Sequence, residues 1–334
     1  MARKSFREAI NEALRLEMRR DSRVIIMGED VAGGIGAAGE QDAWGGVLGV
    51  TKGLIAEFGP ERVRDTPISE SAFIGAAVGA AATGLRPVAE LMFIDFAGVC
   101  LDQILNQAAK LRYMFGGKAT VPLVIRTMYG AGLRAASQHS QSLYPIFTHI
   151  PGLKVVIPSS AYEAKGLLIR AIRDDDPVIF CEHKMLYDET EEVPDEAYTI
   201  PFGEANLTRE GADVTIVAIG RMVKFANEAA DQLAGRGIEC SVVDPRTASP
   251  IDEETILESV NETGRLVVVD EASPRCNLAT DIVALVATKA FSALKAPVSI
   301  VAPPHTPVPF SPALEDAYVP NSAKIEAATL AVMG

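Results

Sequence analysis

Cysteine is scarce in this chain: four residues in 334 (Cys100, Cys181, Cys240 and Cys276), with no CxxC pair among them. That spacing excludes zinc-ribbon and dithiol redox motifs and reads as reduced core thiols. Positive charge is also in deficit, since 31 Lys and Arg against 44 Asp and Glu leave a net charge of −13. Nucleic acid and anionic membrane surfaces are bound through basic patches, so neither is expected as a main partner. Long apolar runs are missing. The best of them, Ala72–Leu85, is made of Gly and Ala rather than Leu and falls short of the ~20 residues of a membrane span. The N-terminal Met-Ala-Arg-Lys-Ser-Phe-Arg-Glu-Ala-Ile is charged and amphipathic, with no hydrophobic signal segment, and a cytoplasmic protein is expected. HExxH, paired Cys/His, GxSxG and GDG with a downstream Asn are all absent.

What is present is an ordinary globular composition, 48% apolar and 22% charged, at a length that suits two domains. Helical and strand patterns alternate almost throughout. An amphipathic helix near Phe6–Met18 precedes a buried strand at Val24–Met27, and a small-residue helix follows Glu70. Next come a strand at Pro87–Phe93, a helix over 96–113, strands at Val121–Ile125 and Val155–Ile157, a helix over 161–173 and a strand at Val178–Cys181. Such alternation implies an α/β fold with a largely parallel sheet flanked by helices. Residues 187–203 are acidic and apolar-poor, the best linker candidate, so the expected domains are 1–186 and 204–334. The second repeats the alternation, with helices near 253–261, 277–291 and 322–333. Pro303–Pro312, with five prolines in ten residues, excludes regular structure there.

Few segments carry chemistry. In Asp65-Thr-Pro-Ile-Ser-Glu70, Glu70 is the single charge between Asp65 and Arg86. Two readings fit: a partly desolvated acid whose pKa rises towards a proton donor, or an exposed first-turn acid on the helix dipole with Ser69 as N-cap. Gly34-Ile-Gly-Ala-Ala-Gly39 matches GxGxxG literally. Six residues separate it from the strand, however, and the glycine-rich continuation does not suit the helix a dinucleotide site needs. His139, in the polar loop Ser137–Ser142 beyond a strand, could act as acid or base near neutral pH, or be structural; His149, His183 and His305 read as structural. Asp174-Asp-Asp176 at a helix C-terminus opposes the helix dipole. Either Arg170 and Arg173 compensate it, or a bound cation does.

Laid end to end, Gly28-Glu-Asp-Val31, Asp65–Glu70, Gly84-Leu-Arg-Pro87, Asp102-Gln-Ile-Leu-Asn106, Gln138-His-Ser-Gln141 and Pro151–Val156 make the chain resemble the beta subunits of thiamine-diphosphate-dependent 2-oxo acid and acetoin dehydrogenase complexes. The resemblance covers essentially the whole chain. It implies two transketolase-like domains, a pyrimidine-binding one followed by a C-terminal one. It also implies that Glu70 hydrogen-bonds the aminopyrimidine ring nitrogen, favouring the tautomer that removes the thiazolium proton. By the same resemblance Ile68, Met92 and Phe96 pack around the pyrimidine, and Glu29 lies near the cofactor. His139 serves proton transfer or acyl transfer to lipoamide, and Leu123, Ala171, Ile172, Asp174 and Asp176 form a potassium site. Diphosphate and magnesium would belong to an alpha subunit bearing the GDG motif missing here, in an assembly of two alpha and two beta chains on a dihydrolipoyl acyltransferase core. Gly75 and Gly79 would permit close helix approach across such an interface, or within the core.

The glycine-rich Gly33–Gly49 stretch looks expanded relative to the pyruvate dehydrogenase pattern and resembles acetoin dehydrogenase. The implied reaction is cleavage of acetoin to acetaldehyde, with the acetyl group passed to lipoamide. A pyruvate or branched-chain 2-oxo acid decarboxylase subunit is the alternative, and an NAD-binding oxidoreductase a further one.

Overall fold

The computed structural model of the chain describes residues 1–33 and 45–334. The GxGxxG match at Gly34–Gly39 and most of the Gly33–Gly49 stretch lie outside the described residues. The chain divides into two compact units. The first takes Met1–Tyr129, Ile146–Glu182 and Leu186–Pro201, and the second takes Gly130–Pro145, His183–Met185 and Phe202–Gly334.

In chain order the elements up to residue 193 are β1 (Ala2–Ser5), α1 (Phe6–Arg20), β2 (Val24–Gly28), α2 (Leu54–Phe58), β3 (Val63–Asp65), α3 (Glu70–Ala82), β4 (Arg86–Phe93), α4 (Ala97–Asp102), α5 (Ala109–Met114), β5 (Val124–Tyr129), α6 (Tyr144–Thr148), β6 (Lys154–Val156), α7 (Ala161–Arg173), β7 (Val178–His183) and β8 (Thr190–Val193). Strands of the first unit run in the order β6-β7-β5-β4-β2-β3, and β6/β7, β5/β4, β4/β2 and β2/β3 pair in parallel. Both faces are covered, so β2 and β5 are buried along their whole length, as a parallel sheet requires. Helix α1 is opened by a reciprocal cap between Ser5 and Glu8 and packs on α7, with the buried Glu17 taking two nitrogens of Arg173 at 2.6 and 3.1 Å.

Two sequence expectations change here. The single helix over 96–113 is a succession of a 3₁₀ turn (Ile94–Phe96), α4, a π-helical turn (Gln103–Ala108) and α5. The acidic stretch 187–203 contains β8, which pairs antiparallel with β1. Its carbonyls at Pro194 and Asp195 accept from the buried Lys165, and Tyr198 stacks on Tyr162 at 4.6 Å. The acids of this stretch meet cations of the first unit, as in Lys4 to Asp195 at 2.7 Å.

The second unit continues with β9 (Asn206–Arg209), β10 (Val214–Ala218), α8 (Met222–Ala234), β11 (Cys240–Asp244), β12 (Thr247–Ser249), α9 (Glu253–Thr263), β13 (Leu266–Val269), α10 (Leu278–Lys289), β14 (Ser299–Val301), α11 (Pro312–Tyr318) and α12 (Ser322–Met333). Five of its strands run in the order β14-β13-β10-β11-β9, parallel except for the edge strand β9. Valines and isoleucines of β10, β11 and β13 pack against Met222, Ala226, Ala230 and Leu233 of α8 and Ile325 of α12. Each buried valine, isoleucine, leucine or methionine among them contributes roughly 1.5–3 kcal/mol. Three cysteines are buried, but Cys276 is exposed at φ +53° in the turn before α10, which corrects the reading of all four as core thiols.

Candidate active site

In open α/β sheets chemistry gathers beyond the carboxyl ends of the strands, and two carboxylates of the first unit lie there. Strand β2 ends at Gly28, and Glu29 follows; β3 ends at Asp65, and the next helix begins at Glu70. The two strand ends are tied together. Thr66 donates its N–H to the Gly28 carbonyl at 3.0 Å, and the Asp65 carboxylate accepts the Ala32 N–H at 2.6 Å. Gly28 is needed for space, because a Cβ there would lie 2.8 Å from the Glu90 carbonyl.

Glu29 is 8% exposed, and its Oε1 is buried with no hydrogen-bond partner among the described residues. Burial first, and the neighbouring Glu70 second, push its carboxyl above the usual range, against the backbone N–H it accepts from Ser69. Glu70 itself is half-buried. Ser69 does not cap α3 with its side chain, as the sequence suggests: its hydroxyl donates to the Pro67 carbonyl at 3.0 Å and its N–H goes to Glu29. Glu70 also acts with burial on Cys100, whose thiol is pushed up to about 12. Helix α3 buries Phe73, Ile74, Ala77, Val78 and Ala81, while Ala72, Ala76 and Gly79 are exposed. A Cβ at Gly75 would meet Gln103 at 3.0 Å, whereas one at Gly79 would meet nothing within 4 Å. Met92 and Phe96 are partly buried, with Phe96 edge-on to Phe93 at 5.5 Å, and Ile68 is 85% exposed.

The sequence reading misses a row of charges across the same sheet. Glu90 on β4, Arg126 on β5 and Glu182 on β7 are all buried. Arg126 donates to Glu90 at 2.7 Å and to both oxygens of Glu182 at 2.6 and 2.7 Å, and the Tyr187 hydroxyl donates to Glu182 at 2.7 Å. Two carboxylates share one guanidinium, and burial drives the Glu90 carboxyl upward. A usable signal existed in opposite charges centred in adjacent apolar strands, Val-Ala-Glu90-Leu-Met and Val-Ile-Arg126-Thr-Met.

His139 belongs to the second unit and is half-buried. Its loop closes on itself through Gly130 N–H to the Gln141 carbonyl at 3.2 Å. Acids of the second unit then fix it. Ala131 N–H donates to Glu271 at 2.6 Å, Gly132 N–H to Glu315 at 2.7 Å, Arg134 to Glu315 at 2.7 Å, and the Tyr144 hydroxyl to Asp270. Lys184 donates to the His139 carbonyl. His183, read from sequence as structural, is fully buried with Nε2 2.8 Å from Glu271. Burial holds its imidazole below its usual range, and the histidine keeps Glu271 low. His149 and His305 are exposed.

At the end of α7 the chain supplies its own cations. Lys154 contacts Asp174 at 2.6 Å and Asp176 at 3.2 Å, Arg170 contacts Asp174 at 3.1 Å, and Arg112 contacts Asp176 at 2.5 Å. Arg173, in contrast, is committed to Glu17. The Ile172 and Asp174 carbonyls accept from Arg86, that of Ala171 from Asp174 N–H, and that of Leu123 from Val178 N–H. Every residue of the expected potassium set therefore has an oxygen that accepts from the chain itself.

Residues 2–190 match the family described as transketolase, pyrimidine binding domain, and residues 203–325 the transketolase C-terminal domain. The chain is 68% identical to the acetoin:2,6-dichlorophenolindophenol oxidoreductase subunit beta of Cupriavidus necator, over all of this chain and 98% of the relative. Its counterpart in Bacillus subtilis is 60% identical over 99% of this chain and 97% of the relative. The pyruvate dehydrogenase E1 component subunit beta of Rickettsia felis is 46% identical over 96% and 95%. A solved split-gene transketolase, described as an inactive beta4 tetramer, has the same fold at TM-score 0.78 and 23% identity, covering 98% of each chain.

A transketolase-like family implies thiamine diphosphate. The residues present fit its pyrimidine half: a carboxylate pair beyond the strand ends, one oxygen of which is buried and unpartnered. With two transketolase domains in order and near-complete coverage of its relatives, the chain belongs to the transketolase-like family that includes the beta subunits of acetoin and pyruvate dehydrogenases.

Proposed function

We propose that this chain is the beta subunit of a thiamine-diphosphate-dependent acetoin dehydrogenase and works with an alpha subunit that holds the diphosphate and its magnesium. The observation that carries the substrate is the 68% identity, end to end, to an acetoin oxidoreductase subunit, against 46% to a pyruvate dehydrogenase subunit. The same lineage supports an assembly of two alpha and two beta chains on a dihydrolipoyl acyltransferase core.

When bound, thiamine diphosphate supplies the nucleophilic carbon that opens the carbon–carbon bond of acetoin; the protein supplies geometry and a tuned acid. Glu70 presents its carboxyl group to the ring nitrogen of the aminopyrimidine. Glu29, buried beside Glu70, has its carboxyl pushed above the usual range by burial first and by Glu70 second. Met92 and Phe96, with Ile68, form the apolar wall that limits water. His139 moves a proton to sulfur as the acetyl group passes to lipoamide.

The test is to co-purify the chain with its alpha partner and assay acetoin, pyruvate and branched 2-oxo acids with dichlorophenolindophenol. Acetoin should be oxidised fastest, and Glu70→Gln should lower that rate by about 10²-fold or more. Faster turnover of pyruvate would overturn the substrate, and an undiminished Glu70→Gln enzyme would overturn the mechanism.

A further inference from the structure

We propose that Lys184 is a positioning residue for His139, held in place by the buried pair His183 and Glu271. The inference rests on the reading above that His139 serves acetyl transfer to lipoamide.

Lys184 is 4% exposed, and its ammonium donates to the backbone carbonyl of His139. A buried ammonium needs a fixed acceptor, so the contact orders both ends: the lysine is held in, and the peptide following His139 cannot rotate freely. The lysine in turn has a defined place. It opens a 3₁₀ turn, Lys184–Leu186, directly after β7, and Met185 N–H closes that turn on His183 Nδ1 at 3.1 Å. Because Nδ1 accepts, the hydrogen of a neutral His183 sits on Nε2, which donates to Glu271 Oε2 at 2.8 Å. The other oxygen of Glu271 accepts the Ala131 N–H at 2.6 Å, at the start of the His139 loop. One carboxylate thus ties the lysine turn to the loop, and the lysine ties back to His139.

The step at stake balances as follows. The bond between the two oxygenated carbons of acetoin breaks, and one half leaves as acetaldehyde. The other half loses two electrons to the lipoamide disulfide and forms a thioester on one sulfur, while the second sulfur takes a proton. With dichlorophenolindophenol as acceptor the dye takes the two electrons, and water takes the acetyl group as acetate. The dye reaction needs no proton delivered to sulfur, so the two rates separate the histidine's placement from the rest of the site.

The experiment compares lipoamide-linked and dye-linked acetoin oxidation in the same holoenzyme samples, alpha and beta subunits together, with thermal midpoints measured alongside. Lys184→Met should lower the ratio of lipoamide-linked to dye-linked kcat by about 10- to 100-fold, the scale of a small misplacement of a reacting group. Lys184→Gln, which keeps a donor, should recover part of that loss, and it serves as the variant to read if Lys184→Met does not fold. A ratio within about twofold of the parent in the variant read overturns the proposal, as does a parallel fall of both rates with the thermal midpoint. His139→Ala is measured beside them. If it lowers the ratio while the lysine variants do not, the positioning role fails and the role of His139 stands. If it leaves the ratio unchanged, the role of His139 fails, and the proposal with it.

Discussion

At the scale of single residues, the informative carboxylate is Glu29 rather than Glu70. An acid whose pKa is higher folded than unfolded binds its proton more tightly in the folded state, so stability falls as pH rises from the ordinary value towards the raised one. For Glu29 that decline begins near 4.5 and continues upward. Gln keeps the oxygen that accepts from Ser69 N–H and never ionises. Glu29→Gln should therefore melt higher than the parent at pH 8, with the difference vanishing towards pH 4.5. Calorimetry of the full chain at the two pH values checks this, and an equal difference at both would mean that Glu29 does not titrate in this way. Activity should move oppositely, since the acid beside Glu70 is lost. Glu70 was legible in the sequence because it is the single charge of a small-residue helix and sits in a family block. Glu90 and Arg126 were missed because a charge inside an apolar strand shows its purpose only when the strand beside it presents the opposite charge, and the partners of Arg126 lie 36 and 56 residues away; the partner of His183, Glu271, lies 88 residues away.

Elements whose signals are local follow the sequence closely. Helix α7 spans 161–173 as expected because Ser160 caps it through Glu163 N–H and Arg170 and Arg173 occupy its last turn. Helix α12 spans 322–333 behind the Asn321 cap. The 96–113 region breaks into four pieces because its apolar spacing is kept while its hydrogen bonding shifts, and a π-turn leaves no mark in a period count. The His139 loop was legible as a loop but not as a fixed one, since its anchors lie more than 120 residues away at Asp270, Glu271 and Glu315. Its starting point is the sensitive place. Gly130 has φ +92°, and a Cβ there would lie 2.2 Å from His183 Nε2. Gly130→Ala combines a left-handed backbone with overpacking against a buried ring, and should cost about 3 kcal/mol or more. A denaturant midpoint within error of the parent would show that this turn yields more than a packed interior allows.

For the whole molecule, charge decides what the chain can do alone. A diphosphate brings negative charge, and this chain is already at −13. Among the described residues no group of three or more His, Cys, Asp or Glu side chains could hold a metal. A concentration of cations at the end of α7 is spent on Asp174, Asp175 and Asp176. The proposed function places the diphosphate and its counter-charge on the alpha subunit, so this chain alone would hold only the pyrimidine end of the cofactor. Dye-linked acetoin oxidation should then be about 10²-fold or more below the complex in the isolated chain, because a cofactor held at one end only is neither bound tightly nor oriented. Titrating in the alpha subunit should raise the rate to a plateau at one alpha per beta. Magnesium removal should abolish the rate of the complex while leaving the melting of the isolated chain unmoved, since the proposal assigns the metal's ligands to the partner. An isolated chain that turns over acetoin at the rate of the complex would show that the diphosphate is held by residues of this chain, and the division of the site between two subunits would fall.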